Sequence, residues 1–320
     1  MSETIPGLRR THALRPARAA EVVPSPVVYR HLTTGPHPID GDLIREFSRA
    51  VRHVPSTRRS GLPDGYESPT LVAPPACTAT VFTPVLGDIL AEFVPDGGAD
   101  RILHVDQVVE FRRPVVEGDR LTCRTAVEAF RHFADYHVLS IKSVLVDRQG
   151  AVKQTATTSL LTRMGGASGP VSEPRVVRGH VCAARTRGSA ANPRPIALDG
   201  LTAGSELPRW DVGLSHDDLT GYARLTGATD TTPSTIELGL VATYLGKAVG
   251  ADTGITRLRT QAARHTHYLG LPAPDSTTLR FHGHVTAVDV KHRRASVTVT
   301  VHADDRGLFS YAAADLRLPD

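Results

Sequence analysis

The stretch Phe111-Arg-Arg-Pro-Val-Val-Glu-Gly-Asp119 returns in altered form as His267-Tyr-Leu-Gly-Leu-Pro-Ala-Pro-Asp275, displaced by 156 residues. A second pair keeps nearly the same displacement. The turn Asp147-Arg-Gln-Gly150 is echoed by Asp304-Asp-Arg-Gly307, 157 residues on at its glycine. Each turn separates two runs of alternating apolar and polar residues, clearest in Leu279-x-Phe281-x-Gly283-x-Val285 and Val297-x-Val299-x-Val301. Period two marks strands with one face buried. Upstream, Asp42-Leu-Ile-Arg-Glu-Phe47 matches Asp218-Leu-Thr-Gly-Tyr222, each opening a short amphipathic helix ahead of a longer apolar one. The chain therefore reads as an α+β repeat. Each half has two helices followed by four or five antiparallel strands, and the sheet wraps around the longer helix.

Composition sets the frame for that repeat. The 320 residues, 40% hydrophobic and 22% charged, are typical of a globular protein with room for two cores. A formal charge of +4 spread over tail and linker gives no reason to expect a nucleic-acid partner. Cys77, Cys123 and Cys182 make neither a disulfide framework nor a metal-ligand spacing, which fits a reducing compartment. No signal-like start and no membrane-spanning run are expected, so the chain reads as cytoplasmic. Residues 1–38 read as a tail or irregular arm, and the Gly/Pro/Ser/Arg-rich 163–197 as a linker. That leaves 39–162 and 198–320 as the ordered halves.

The phrase Val105-Asp-Gln-Val-Val-Glu-Phe-Arg-Arg-Pro-Val-Val-Glu-Gly-Asp119, preceded by "LVAPPACTATVF", resembles the first domain of MaoC-like (R)-3-hydroxyacyl-carrier-protein dehydratases. The second half resembles their partner domain. The resemblance implies a double hotdog fold, with two tandem domains paired through their sheets around an acyl tunnel. It also implies chemistry. In that family an Asp and a His five residues later act on a β-hydroxyacyl thioester. The His takes the α-proton, the Asp handles water, and a helix N-terminus polarises the carbonyl.

This sequence departs from the pattern at that pair. Counted forward from Asp218, the family's Asp falls on Ala228 and its His on Pro233. Starting instead from Asp230 puts Thr235 at the His position, and no histidine occurs from 217 to 264. The first helices of the two halves are 176 residues apart, so the second half is about twenty residues shorter between its first helix and its core strand. A more open cavity mouth is expected there.

Other residues become candidates. His265 and His267 replace apolar strand positions and could transfer protons in a cavity, although satisfied core histidines show the same pattern. Asp230 lies before a helix start, where it could serve a ligand or only the helix dipole. Tyr268, Thr231, Ser234, Glu237, Cys77 and Gln107 are the expected substrate contacts, with helix capping as the alternative for the hydroxyls. Arg257, Arg259 and Arg264 could meet a phosphopantetheine phosphate, or sit solvated. His265-x-His267 and His282-x-His284 invite a zinc reading, but the second pair is expected on the opposite face, so no metal and no cofactor are expected.

Three functions compete. The first is ring closure or isomerisation of a long acyl or polyketide chain, carrier-bound or free, in an enzyme repurposed from a dehydratase. The second is a dehydratase or hydratase with displaced catalytic groups, Asp230 with His267. The third is a non-catalytic acyl-binding or partner-stabilising subunit. The assembly is expected to be a monomeric double hotdog or a homodimer, with no nucleic-acid or membrane partner.

Overall fold

A computed structural model describes residues 31–61, 67–93, 102–133, 136–163, 201–228, 235–250, 254–262, 276–303, 306–307 and 309–318. The first half runs β1 (His31–Pro38), α1 (Gly41–Ala50), β2 (Ser56–Gly61), β3 (Glu67–Val72), a 3-10 turn (Pro75–Thr78) and α2 (Ala79–Phe93). Strands β4 (Ile102–Phe111), β5 (Arg120–Phe133), β6 (Tyr136–Val146) and β7 (Val152–Arg163) follow. The second half runs β8 (Trp210–Ser215), α3 (His216–Thr226), α4 (Ile236–Val249) and β9 (Gly254–Ala262). It ends with β10 (Ser276–Asp289), β11 (Arg294–Ala303), the two-residue β12 (Arg306–Gly307) and β13 (Phe309–Arg317).

The two halves share one antiparallel sheet of eleven strands. Its joint is the pairing of β4 with β9, in register from Val105↔Ala262 to Glu110↔Arg257. Outward from the joint the first half lays down β4, β7, β6, β5, β1, and the second lays down β9, β13, β11, β10, β8. The orders correspond strand for strand, so the sheet has a pseudo-two-fold axis between β4 and β9. This is the double hotdog arrangement that the resemblance implies, built on the tandem repeat that the motifs mark.

Each half wraps its sheet around one apolar helix. In α2 the buried Val81, Val85 and Ile89 recur every four residues and form a single inward stripe. In α4 all but Gly246 and Lys247 are buried, because this helix is covered on nearly every side. Gly239 is required there. A Cβ at 239 would lie 2.6 Å from Val51 Cγ1, so only glycine lets α4 approach the end of α1. The helix pair α1 and α3 makes a further contact between halves through Phe47 and Tyr222, whose rings are 5.7 Å apart.

Three expectations change. Residues 31–38, read as part of an irregular arm, form β1 and pair with β5, while residues 1–30 lie outside the described residues. The length difference between halves is a hairpin: β2 and β3 stand between α1 and α2, whereas the second half passes from Thr226 to Ile236. Pro75–Phe93 is, by length and composition, apolar enough to cross a bilayer, contrary to the reading that no run is. Half of that window is buried inside the fold as the first half's core helix.

Candidate functional site

The start of α4 is built by the helix before it. Helix α3 opens on a capping box: Ser215 Oγ accepts from the Asp218 N–H, and the Asp218 carboxylate accepts from the Ser215 N–H. It ends at Gly227, whose φ of 65° gives the left-handed turn that α-helix C-termini favour. That glycine packs on Pro84 of α2, with a Cβ there calculated at 3.2 Å from Pro84 Cγ. Tyr222, buried in α3, reaches forward so that its hydroxyl meets Thr235 Oγ1 at 2.8 Å. Thr235 occupies the N-cap position of α4, but its side chain makes no capping bond. Burial pushes the Tyr222 phenol well above its usual range, and the nearby Glu237 and Cys77 add to the rise against the opposing Thr235 bond. The pair is thus a contact between two neutral hydroxyls.

Thr235 and Leu238 of α4 close one end of a cavity that runs into the first half, between α2 and the inner face of β4–β7. On the helix side it is lined by Phe82, Val85, Leu86 and Ile89, with Thr78 and Thr83. On the sheet side, Gln107, Thr125, Ser143, Gln154 and Thr158 interrupt an otherwise apolar face at inward positions. These polar groups partly satisfy one another. Thr125 Oγ1 and Ser143 Oγ are 2.9 Å apart, and Thr78 Oγ1 donates to Gln154 Oε1 at 2.8 Å. The void is about 30 Å³, room for a water molecule, so a chain enters only as the α2 side chains move. The connection at 229–234, where a more open mouth was expected, lies outside the described residues.

The sequence-expected residues fare differently. His265, His267, Tyr268, Asp230, Thr231, Ser234 and Arg264 lie outside the described residues. Gln107 lines the cavity. Glu237 is buried in the first turn of α4, beside Tyr222 rather than on the cavity wall. Cys77 is buried with its thiol pushed up to about 12 by desolvation; its neighbours Ala76 and Thr78 line the cavity and it does not. Arg259 is engaged by a carboxylate. Its guanidinium holds Asp106 at 3.2 and 2.8 Å across the β4–β9 joint, and Gln261 Nε2 donates to the same carboxylate at 3.1 Å. Arg257 faces Asp315 at 3.9 Å. His282 and His284 sit on the outer face of β10, as expected, and both contact Glu206, at 2.9 and 3.0 Å. Among the described residues no group of three His, Cys, Asp or Glu could hold a metal ion.

Sequence reasoning missed Thr125, Ser143, Gln154 and Thr158. The signal was present: each is a polar residue at an inward position of an alternating strand, as in Leu139-x-Ile141-x-Ser143-x-Leu145.

Comparison with known proteins bears on the same regions. Residues 27–155 match the family described as "FAS1-like, dehydratase domain region". A UPF0336 protein of Streptomyces coelicolor is 31% identical over 133 residues, 41% of this chain and 87% of that protein. A UPF0336 protein of Leifsonia xyli is 31% identical over 139 residues, 41% of this chain and 88% of its own. Among solved structures, a MaoC-like dehydratase superposes with a TM-score of 0.63 at 21% identity, covering 92% of this chain and 99% of that one. A Mycobacterium tuberculosis protein described as having a double hotdog fold gives 0.56 at 13% identity, over 91% of this chain and 96% of its own.

Proposed function

This chain belongs to the family of UPF0336 proteins and has the double hotdog fold seen in MaoC-like dehydratases, and from that premise we propose that it binds an acyl or polyketide thioester and promotes ring closure or isomerisation. The chain lies between α2 and the first half's sheet, and the thioester carbonyl at the start of α4. The observation that carries this reading is the cavity running from Thr235 into the first half, with hydroxyl and amide groups set into its sheet wall. Oxygens spaced along a polyketide can add bonds to Gln107, Ser143 and Gln154 that a plain aliphatic chain cannot make. In the register that takes Asp230 as the acid, the family's histidine position falls on Thr235, whose hydroxyl is bonded to a phenol, a poor acceptor for an α-proton. Holding one chain in a folded shape lowers the entropic barrier to closing it on itself. Such a rearrangement has no net redox change, so it calls for no cofactor.

The test presents the purified protein with a β-polyketo thioester and, separately, with a short trans-2-enoyl thioester. The expected result is cyclised product above the spontaneous rate and no hydration of the enoyl compound. Robust hydration that disappears in His267→Ala would establish the displaced-residue hydratase instead. Saturable binding with neither reaction would leave an acyl-binding subunit.

A further inference from the structure

A second and larger space lies where β4 ends and β9 begins, adjoining the cavity described above, with which it shares Gln154 as a lining residue. Its volume is about 430 Å³, the size that takes a small organic ligand. Ser56 and Val72 of the β2–β3 hairpin contribute one wall, the turn after β4 another, and the C-terminal part of α4 with the start of β9 the third. The hairpin has no counterpart in the second half, so the pseudo-two-fold does not reproduce this groove at the first cavity. Pro74 and Pro75, at the start of the helical stretch leading into α2, stand here where Thr235 and Leu238 stand in the other space.

The chemistry of the lining is one-sided. The floor is apolar, from Phe111, Val115, Ala242 and Ile255, and the exposed Val54 lies at the mouth. The rim is cationic, from Arg112, Arg113, Lys247 and Arg317, and no Asp or Glu is among the lining residues. Arg112 is partly offset by its contact with Glu110, and Lys247 stacks over the Trp210 ring at 5.0 Å. Arg113 and Arg317 are exposed and, among the described residues, have no carboxylate within ion-pair distance. His53, the remaining titratable group of the wall, is kept neutral to lower pH by burial and by Lys247.

From this arrangement we infer that the groove is a second ligand site, for an aliphatic chain ending in an anionic head, carboxylate or phosphate. The chain covers the Phe111–Ile255 floor, and the head lies between Arg113 and Arg317. Desolvating an anion there without a rim cation is costly, so the head selects for charge and the floor for length.

Calorimetric titration of the full chain with decanoate, decyl phosphate and 1-decanol, each below its micellar range, tests the site. Saturable one-to-one binding of at least one anion is expected, with decanol at least about tenfold weaker. Whichever anion binds names the head group. Arg113→Gln with Arg317→Gln changes only exposed side chains and is expected to weaken anion binding about tenfold without altering decanol. Ser143→Phe, which fills the first-half cavity, is expected to leave anion binding unchanged. No anion binding, equal binding of decanol, or loss in Ser143→Phe but not in the double variant would overturn the inference.

Discussion

Asp106 and Arg259 form a two-point ion pair, 2.8 and 3.2 Å, across the strand pair that joins the two halves. It lies on the outer face of the sheet, with Gln261 as a third partner, and it fixes the register in which the halves meet. Asp106 belongs to the phrase that pointed to the fold, so part of that phrase serves the seam between halves.

Asp106→Asn is expected to lower stability by about 0.5–1 kcal/mol, the range for a partly exposed pair. Adding Arg259→Gln should cost little more, because the two act as a unit. Urea unfolding of the single and double variants reads this directly, and additive losses would show that the pair is not coupled.

Removing the Thr235 hydroxyl with Thr235→Val leaves the buried Tyr222 phenol without its partner. A cost of about 1–3 kcal/mol follows. Tyr222→Phe, which removes both needs at once on the tyrosine side, should be milder. Thr235→His puts an imidazole where the family's base falls when Asp230 is taken as the acid, and hydration of trans-2-enoyl thioesters is the expected gain, followed by loss of enoyl absorbance.

Ser143→Ala keeps the shape of the cavity wall but leaves Thr125 without its 2.9 Å partner. Binding of an oxygenated chain is expected to weaken by about tenfold, roughly one hydrogen bond, relative to a plain acyl chain of the same length. Competition between the two thioesters measures the ratio, and an unchanged ratio would remove Ser143 from chain recognition.

Acid should loosen the contact between α1 and α3. At Asp218, burial works against the charged form, but bonds from the Ser215 N–H, the Arg52 guanidinium at 2.8 Å and the Ser215 hydroxyl outweigh it and hold the carboxyl below its ordinary 3.8. A depressed folded-state pKa means the unfolded chain takes up the proton first. The stabilisation is therefore complete above the ordinary value and is lost as pH falls below it towards the folded pKa. Denaturant midpoints measured through this window should fall less steeply in Arg52→Ala. Arg52 itself has a φ of 57°, a conformation that strains a side-chain-bearing residue, so Arg52→Gly should recover part of what Arg52→Ala loses.

Cys77, with its thiol pushed up to about 12, should resist alkylation at pH 8 in the folded protein and react once the chain is unfolded. Mass-mapped iodoacetamide labelling decides it. Rapid labelling of Cys77 in the native state would place its thiol on an open surface.

The sequence disclosed the doubling because its markers, the 111–119 and 267–275 stretches and the two Asp-to-Gly turns, sit at positions where turn geometry restricts residue choice. Strand β1 escaped because His31-Leu-Thr-Thr-Gly-Pro-His-Pro38 is an exposed edge with no apolar alternation to read. The hairpin β2–β3 looked like a deletion in the other half, since length difference alone cannot say which copy changed. The role of Arg259 was hidden because an arginine's partner on a neighbouring strand, 153 residues away, leaves no local pattern. The polar cavity wall was legible in principle but needed strand register, which assigns Ser143 and Gln154 inward.

The β4–β9 seam has a consequence for how such a protein can change. When two identical subunits pair, every substitution appears twice, and both helix entrances must accept it. Here each entrance is encoded once, and its partner is supplied by the same chain at a fixed one-to-one ratio, independent of expression level or dilution. One half can then carry a hairpin between its helices while the other joins them by a short connection, without either feature being imposed on its twin.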